Sequence, residues 1–202
     1  DAGFIVETKE NVLEVDIKNS TRSLIDRLKK DLVVEGKEEV ILADTAVKLM
    51  TKVHQLCSGT IKFESGKSMV LDWSKAEFIK KHFKGKKIGI FYKFKEELNA
   101  IKEVFGKDIC QDLECFNTTD KNIALQIVSG REGISLKKAD CLVYYNIDFS
   151  ATSYWQSRDR MTTKDRLKKD IYKAVIKKKD YTLAHFKRDF VNLQYDRTAN
   201  PK

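Results

Sequence analysis

Gln156 and Arg160 stand four residues apart in "SYWQSRDRMTTK". If this stretch is helical, Gln156, Arg160, Thr163 and Lys164 share one stripe, at i, i+4, i+7 and i+8. An amide and a guanidinium one turn apart can grip a chain of phosphates together, because the planar arginine fork pairs two oxygens and stays charged. Upstream, "SGREGISLKKAD" (residues 129–140) opens with two glycines and two opposite charges within a few residues, between the apolar runs "IALQIV" and "CLVYYNI". Glycine admits positive φ and close approach of another backbone, and the amides of such loops bind anions without any side chain. Plainer readings exist for both. The glycines also suit an ordinary strand-to-helix turn, and Ser153-x-x-Gln156 matches a capping box that merely closes a helix end.

These residues need elements to hold them. From residue 74 onward, short continuous apolar runs ("IGIFY", "NIALQIV", "CLVYYNI") alternate with amphipathic stretches ("SKAEFIKKHF", "KEELNAIKEVFG"). That rhythm predicts an α/β domain with an open, doubly wound parallel sheet and helices on both faces. Ligands of such sheets bind outside the carboxyl ends of the strands, where "SGREG" begins. Upstream, "NVLEVDIK" alternates as a strand. "STRSLIDRLKKDLVVE" reads as a helix capped by Ser20 or Thr21, and "ILADTAVKLMTKVHQLC" as a second helix. "GTIKFESGKSMVLDW" reads as a hairpin turning at "ESGKS". The last part, "LKKDIYKAVIKKKDY" and beyond, reads as a terminal packing helix through Ile171, Val175, Leu183, Phe186 and Phe190. The expected organisation is an N-terminal strand, two helices and hairpin over 1–73, the α/β core over 74–166, and a basic helix and tail over 167–202.

With 42% hydrophobic and 34% charged residues in 202, the chain is globular in composition and long enough to bury a full core. It contains no apolar run of the roughly 18 residues that a membrane helix needs, so no membrane is expected. The start, "DAGFIVETKE", has no signal-peptide pattern and no initiator methionine, which points to a piece of a longer chain. Four cysteines without CxxC spacing and only three histidines argue against a metal site and for reduced thiols in a cytoplasm. Net charge is +9, with seven lysines and no acid in "KKHFKGKKIGIFYKFK" and eight basic residues against two aspartates in "KDRLKKDIYKAVIKKK". Two such runs make a polyanion-binding surface an open alternative to plain solvated faces. "SGKS" (65–68) is not a phosphate-binding GxxxxGK[ST] loop, because Ile61 stands where its first glycine belongs and a strand follows instead of a helix.

The combination "IVSGREGISLKKADCLVYYNIDFS" and "YWQSRDR" resembles motifs V and VI of superfamily 2 helicases in the Swi/Snf-like branch, with a flavour closest to phage or prophage members. "KVHQLCSG" is similar to the helix that precedes the second motor lobe of that family, and "KKIGIFYKFKEELNAIKEVF" to the lobe's first strand and helix. The resemblance covers roughly residues 40–190 and implies the C-terminal, RecA-like lobe of an ATP-dependent DNA helicase or translocase. In that family ATP and Mg lie in a cleft between two lobes, with the Walker lysine and metal-binding acids on the first. Carried over by motif position, Glu132, Gly133, Ser135 and Leu136 belong to motif V. Gln156 and Arg160 belong to motif VI, as catalytic residues facing the γ-phosphate. ATP contacts are expected from Glu132, Gly133 and Arg160, and duplex DNA contacts from Gly130, Arg131, Gly133, Ser135 and Lys164.

Two departures stand out. Thr163 occupies the place of the usual second motif VI arginine, leaving Lys164, Arg166 or Arg160 alone to serve. The strand usual after motif VI is expected to be missing, since "TTKDR" runs straight into the terminal helix. No Walker A loop or acidic metal box occurs in the chain, so the isolated piece is expected to hydrolyse ATP poorly. A stand-alone basic nucleic-acid-binding module is the alternative; an unrelated nucleotide-binding α/β enzyme lacks any dinucleotide fingerprint or triad.

Overall fold

The computed structural model describes residues 7–127, 135–146 and 168–176. Its centre is a six-stranded sheet built from β1 (Glu7–Val15), β6 (Ile88–Tyr92), β7 (Ile109–Cys110), β8 (Asn122–Gln126), β9 (Cys141–Tyr144) and β10 (Lys168–Ile176). The strand order is β1-β10-β9-β6-β8-β7 and every neighbouring pair is parallel. All carboxyl ends therefore open on one edge. Among the described residues, no helix is long and apolar enough to cross a membrane.

Alternation within the central strands fills both faces, which is why they read as unbroken apolar runs. Ile88, Ile90, Tyr92, Cys141, Val143 and Tyr145 pack on one side, under α3 (Ser74–His82) and α4 (Lys95–Phe105). Phe91, Ile123, Leu142 and Tyr144 pack on the other, with Phe116 of the short helix α5 (Leu113–Thr118) and with Leu136. Gly89 is the strand position that admits Leu136: a Cβ there would lie 3.0 Å from Leu136 Cδ1 and 3.2 Å from Leu142 Cδ2.

A smaller unit packs beside this core. α1 (Asn19–Asp31) and α2 (Ala46–Cys57) enclose Ile25, Leu28, Val53 and Leu56, with the antiparallel pair β2 (Val33–Glu35) and β3 (Val40–Leu42) and the hairpin β4 (Thr60–Lys62) and β5 (Ser68–Val70). The hairpin confirms that "SGKS" is turn chemistry, with Gly66 at φ +90°. Leu32 ends α1 in the left-handed conformation, and the β-branched Val33 and Val34 then pair with β3 instead of prolonging the helix. Neither Ser20 nor Thr21 caps α1. The cap is Lys18, and the Thr21 hydroxyl donates instead to Asp72 Oδ2 at 2.7 Å.

Asp72 joins the small unit to the core. Its carboxylate also accepts the Lys18 amide at 2.9 Å, the Ser74 amide at 2.9 Å and the Ser74 hydroxyl. Burial alone would push this carboxyl up, but the donors of Ser74, Thr21 and Lys18 outweigh it and hold it below the ordinary range.

The terminal helix expected within 167–202 is corrected over residues 168–176, which form β10, between β1 and β9. The strand thought missing after motif VI is thus present. Ile171 and Val175 suit a helix by spacing, but β-branched and aromatic content favours a strand once two ladders are on offer. Tyr172 of this strand packs edge-on against Phe83 at 4.8 Å. β1 lies in the same sheet and Val15 in the same core cluster as α3 and α4, so the main sheet draws on segments before and after 74–166. Leu183, Phe186 and Phe190 fall outside the described residues.

Gly59 follows α2 at φ +79°, and a Cβ added there would sit 2.0 Å from the Asp72 carbonyl oxygen. Neither the conformation nor the space suits any other residue. Gly59→Ala is expected to lower the unfolding free energy by at least about 2 kcal/mol, read from the midpoint of a urea titration.

Candidate functional site

The carboxyl edge of the sheet gathers the exits of three strands. After β6, the chain passes through Lys93 and Phe94 into α4. After β8 it reaches Ile127, and after β9 it reaches Tyr145 and Asn146. The ladder extends past the strands here: the Ile127 amide donates to the Tyr92 carbonyl at 2.9 Å, and the Tyr145 amide to that of Phe91 at 2.9 Å. Gln126 Nε2 donates to the Lys93 carbonyl at 2.9 Å. The segments that follow Ile127 and Asn146 therefore leave from the same edge, on either side of β6.

Of the residues expected to act, Ser135 is exposed and Leu136 fully buried. Leu136 anchors the return toward β9, its carbonyl accepting the Ala139 amide at 3.0 Å. Asp140 then pairs with Lys87 in both directions, each donating an amide to the other at 2.7 Å. Gly130, Arg131, Glu132 and Gly133, and likewise Gln156, Arg160 and Lys164, lie outside the described residues.

The edge also holds a polar network that sequence reasoning passed over. Glu97, in the first turn of α4, is fully buried. Its Oε1 accepts the Lys93 amide at 2.8 Å and the Phe94 amide at 2.7 Å, and its Oε2 accepts Asn146 Nδ2 at 2.8 Å. The hydroxyl of Ser58, just past α2, lies near the same carboxyl and also reaches the Gln55 carbonyl at 3.0 Å. Asn146 Oδ1 in turn lies 2.5 Å from His54 Nε2, and His54 stands edge-on to the Phe94 ring with centroids 5.2 Å apart. Since Asn146 spends its amide hydrogen on Glu97, His54 Nε2 is the donor to its oxygen. Lys75 of α3, 3% exposed, extends Nζ to the Tyr145 carbonyl at 3.2 Å. The only sequence signal for Glu97 was its place three residues after Phe94, where an acid closes a helix start. Asn146 and Lys75 carried none.

The opposite, amino edge bears an open cleft of about 1090 Å³. Lys80, Lys81, Lys84, Lys86 and Lys87 line it, together with Glu77, Glu103, Asp108, Asp120 and Asp140. The first lysine run is therefore matched here acid for base. Two of its members are also engaged internally: Lys80 Nζ donates to the Val104 carbonyl at 2.9 Å, and Lys87 Nζ to those of Phe116 and Thr119. Lys93 stands apart, over the Phe94 ring at the carboxyl edge. The second basic run is described only at 168–176, as β10. Among the described residues no group of acids, histidines or cysteines could hold a metal ion.

The fold is that of a SWI2/SNF2 ATPase lobe. The chain is similar to the "C-terminal part of Fun30 ATPase domain" with a TM-score of 0.57 and 12% identity, covering 95% of this chain and 99% of that one. It is also similar to the "Sulfolobus solfataricus SWI2/SNF2 ATPase core domain" with a TM-score of 0.60 and 15% identity. There 94% of this chain matches 43% of the other, so the present residues span under half of that core. No family model and no curated protein matches the sequence.

Burial pushes the Glu97 carboxyl above its ordinary 4.5, more than its donors pull it down. A raised folded value means that this group's contribution to stability is full below 4.5 and is lost as pH rises through the folded value. Glu97→Gln is expected to remove that component. Urea midpoints from pH 4 to pH 8 should fall less steeply in the variant than in the wild type, whereas equal slopes would contradict a raised value.

Proposed function

We propose that this chain is the second motor lobe of an ATP-dependent helicase or translocase that acts on duplex DNA. The observation that carries the reading is that the fold matches the C-terminal part of the Fun30 ATPase domain over nearly its whole length; the motif V-like loop then starts from the carboxyl edge where such sheets bind ligands. The segment leading to Gln156 and Arg160 starts from the same edge, after β9.

In this reading Arg160 extends toward the γ-phosphate and offsets the charge that develops as the phosphoryl group leaves. Gln156 orients it or the attacking water, and Glu132 and Gly133 border the nucleotide. Gly130, Arg131, Gly133, Ser135 and Lys164 meet the DNA backbone. The exposed position of Ser135 fits a contact with a large partner, while buried Leu136 ties the loop to the core. ATP and Mg would be held jointly with a first RecA-like lobe of the same polypeptide, which brings the Walker lysine and the metal-binding acids. The phage-type resemblance and the cysteine usage add a cytoplasmic setting to this reading.

Arg160→Ala, in a polypeptide joining this chain to its first lobe, should lower DNA-stimulated ATP turnover at least about tenfold. Unchanged turnover would remove Arg160 as the finger. A polypeptide without any nucleotide turnover, yet with intact DNA binding, would favour the stand-alone binding module. Affinity for duplex DNA should fall steeply between about 50 and 200 mM salt, as measured by fluorescence anisotropy; absence of binding at low salt would defeat the electrostatic argument.

A further inference from the structure

The two segments assigned to motifs V and VI leave the sheet from either side of β6, and one buried carboxylate is connected to both exits. Glu97 Oε1 accepts the Lys93 amide, and the Lys93 carbonyl accepts Gln126 Nε2 at the end of β8. Glu97 Oε2 accepts Asn146 Nδ2 at the end of β9. Asn146 is held from a third direction by His54 of α2, and Lys75 of α3 fixes the adjoining Tyr145 carbonyl. His54, Lys75, Glu97 and Asn146 are each at most 3% exposed.

Burying four polar side chains costs free energy that apolar residues of similar size would not. What such groups add is direction, because hydrogen bonds fix angles that apolar contacts leave soft. Three of these side chains, His54, Lys75 and Glu97, converge on two residues, Tyr145 and Asn146, at the end of β9. Asn146 lies ten residues before Gln156 and fourteen before Arg160.

We propose that Glu97, with His54, Asn146 and Lys75, is a positioning hub that fixes the motif V loop and the motif VI segment relative to each other. This rests on the reading of those segments given above. Buried as they are, Glu97 and its partners would act by setting the place from which Arg160 and the glycine loop reach nucleotide and DNA. Positioning errors near 1 Å can lower a rate about a hundredfold, so a hub removed from the reacting atoms still governs turnover.

The test uses the two-lobe polypeptide with Asn146→Ala, Glu97→Gln and Arg160→Ala, each assayed well below its own melting temperature. Asn146→Ala should cut kcat at least about tenfold while KM for ATP changes less than about threefold. Glu97→Gln should keep turnover within about threefold. Its amide oxygen can still accept the Lys93 and Phe94 amides, and Asn146 can turn its own amide to meet the new donor, with His54 taking the tautomer whose Nε2 accepts. A second readout is independent of activity: amide exchange in peptides spanning 128–134 and 147–160 should accelerate in Asn146→Ala, while peptides of β4 and β5 stay at wild-type rates. Unchanged exchange in both segments overturns the hub, as does wild-type kcat in Asn146→Ala when Arg160→Ala is impaired. If Arg160→Ala turns over normally, the motif VI reading falls and the exchange rates alone decide the hub.

Discussion

A carboxylate with no access to water must find its solvation in the protein, and Glu97 finds it at the one place where the sheet's exits converge. Two backbone amides, an asparagine amide and a serine hydroxyl surround it. These donors come from three separate stretches of the chain, residues 93–94, Asn146 and Ser58, so no stretch can move without leaving the carboxyl short of a partner. The first turn of α4, the step after β9 and the end of α2 are thereby bound into one arrangement. Burial still raises the carboxyl above its ordinary value. The environment thus holds the group more by geometry than by a surplus of electrostatic stabilisation.

Asp72 plays the complementary part between the sheet and the smaller unit. Its donors come from Lys18 and Thr21 at the start of α1 and from Ser74 at the start of α3. Here the hydrogen bonds prevail and the carboxyl is held low. Gly59 lets the end of α2 pass against the Asp72 backbone, and its neighbour Ser58 reaches Glu97. The "HQLCSG" stretch therefore connects the two buried acids: His54 and Ser58 serve one, and Gly59 makes room for the residue that carries the other.

The parallel sheet was legible from sequence because β6, β8 and β9 are buried on both faces and leave unbroken apolar runs. The β4–β5 hairpin was legible from its turn residues. β10 was not, since Ile171 and Val175 satisfy helical spacing as well as strand alternation, and only the ladders with β1 and β9 decide between them. β2 and β3 are three residues each, too short to interrupt the helical patterns beside them. The buried hub was invisible for another reason. Glu97 sits among "KFKEEL", a stretch that reads as solvated helix surface, and its burial depends on Asn146, forty-nine residues away. Charge type and local spacing carry no information on such a pairing.

The same limit bears on the basic runs. Composition treats the lysines between 80 and 95 as one patch, yet the sheet divides them between its two edges. Those at the amino edge face as many carboxylates across the cleft, and two of them cap backbone carbonyls. Lys93 and Lys95 follow β6 at the carboxyl edge, and the Lys93 backbone is joined to Glu97 through its amide and to Gln126 through its carbonyl. A polyanion drawn to the carboxyl edge would therefore meet few of the charges that the first run contains. Under the proposed function its attraction would come from Arg131, Arg160 and Lys164. Net charge predicts that an anionic partner is tolerated; the direction of the strands decides which lysines it can reach.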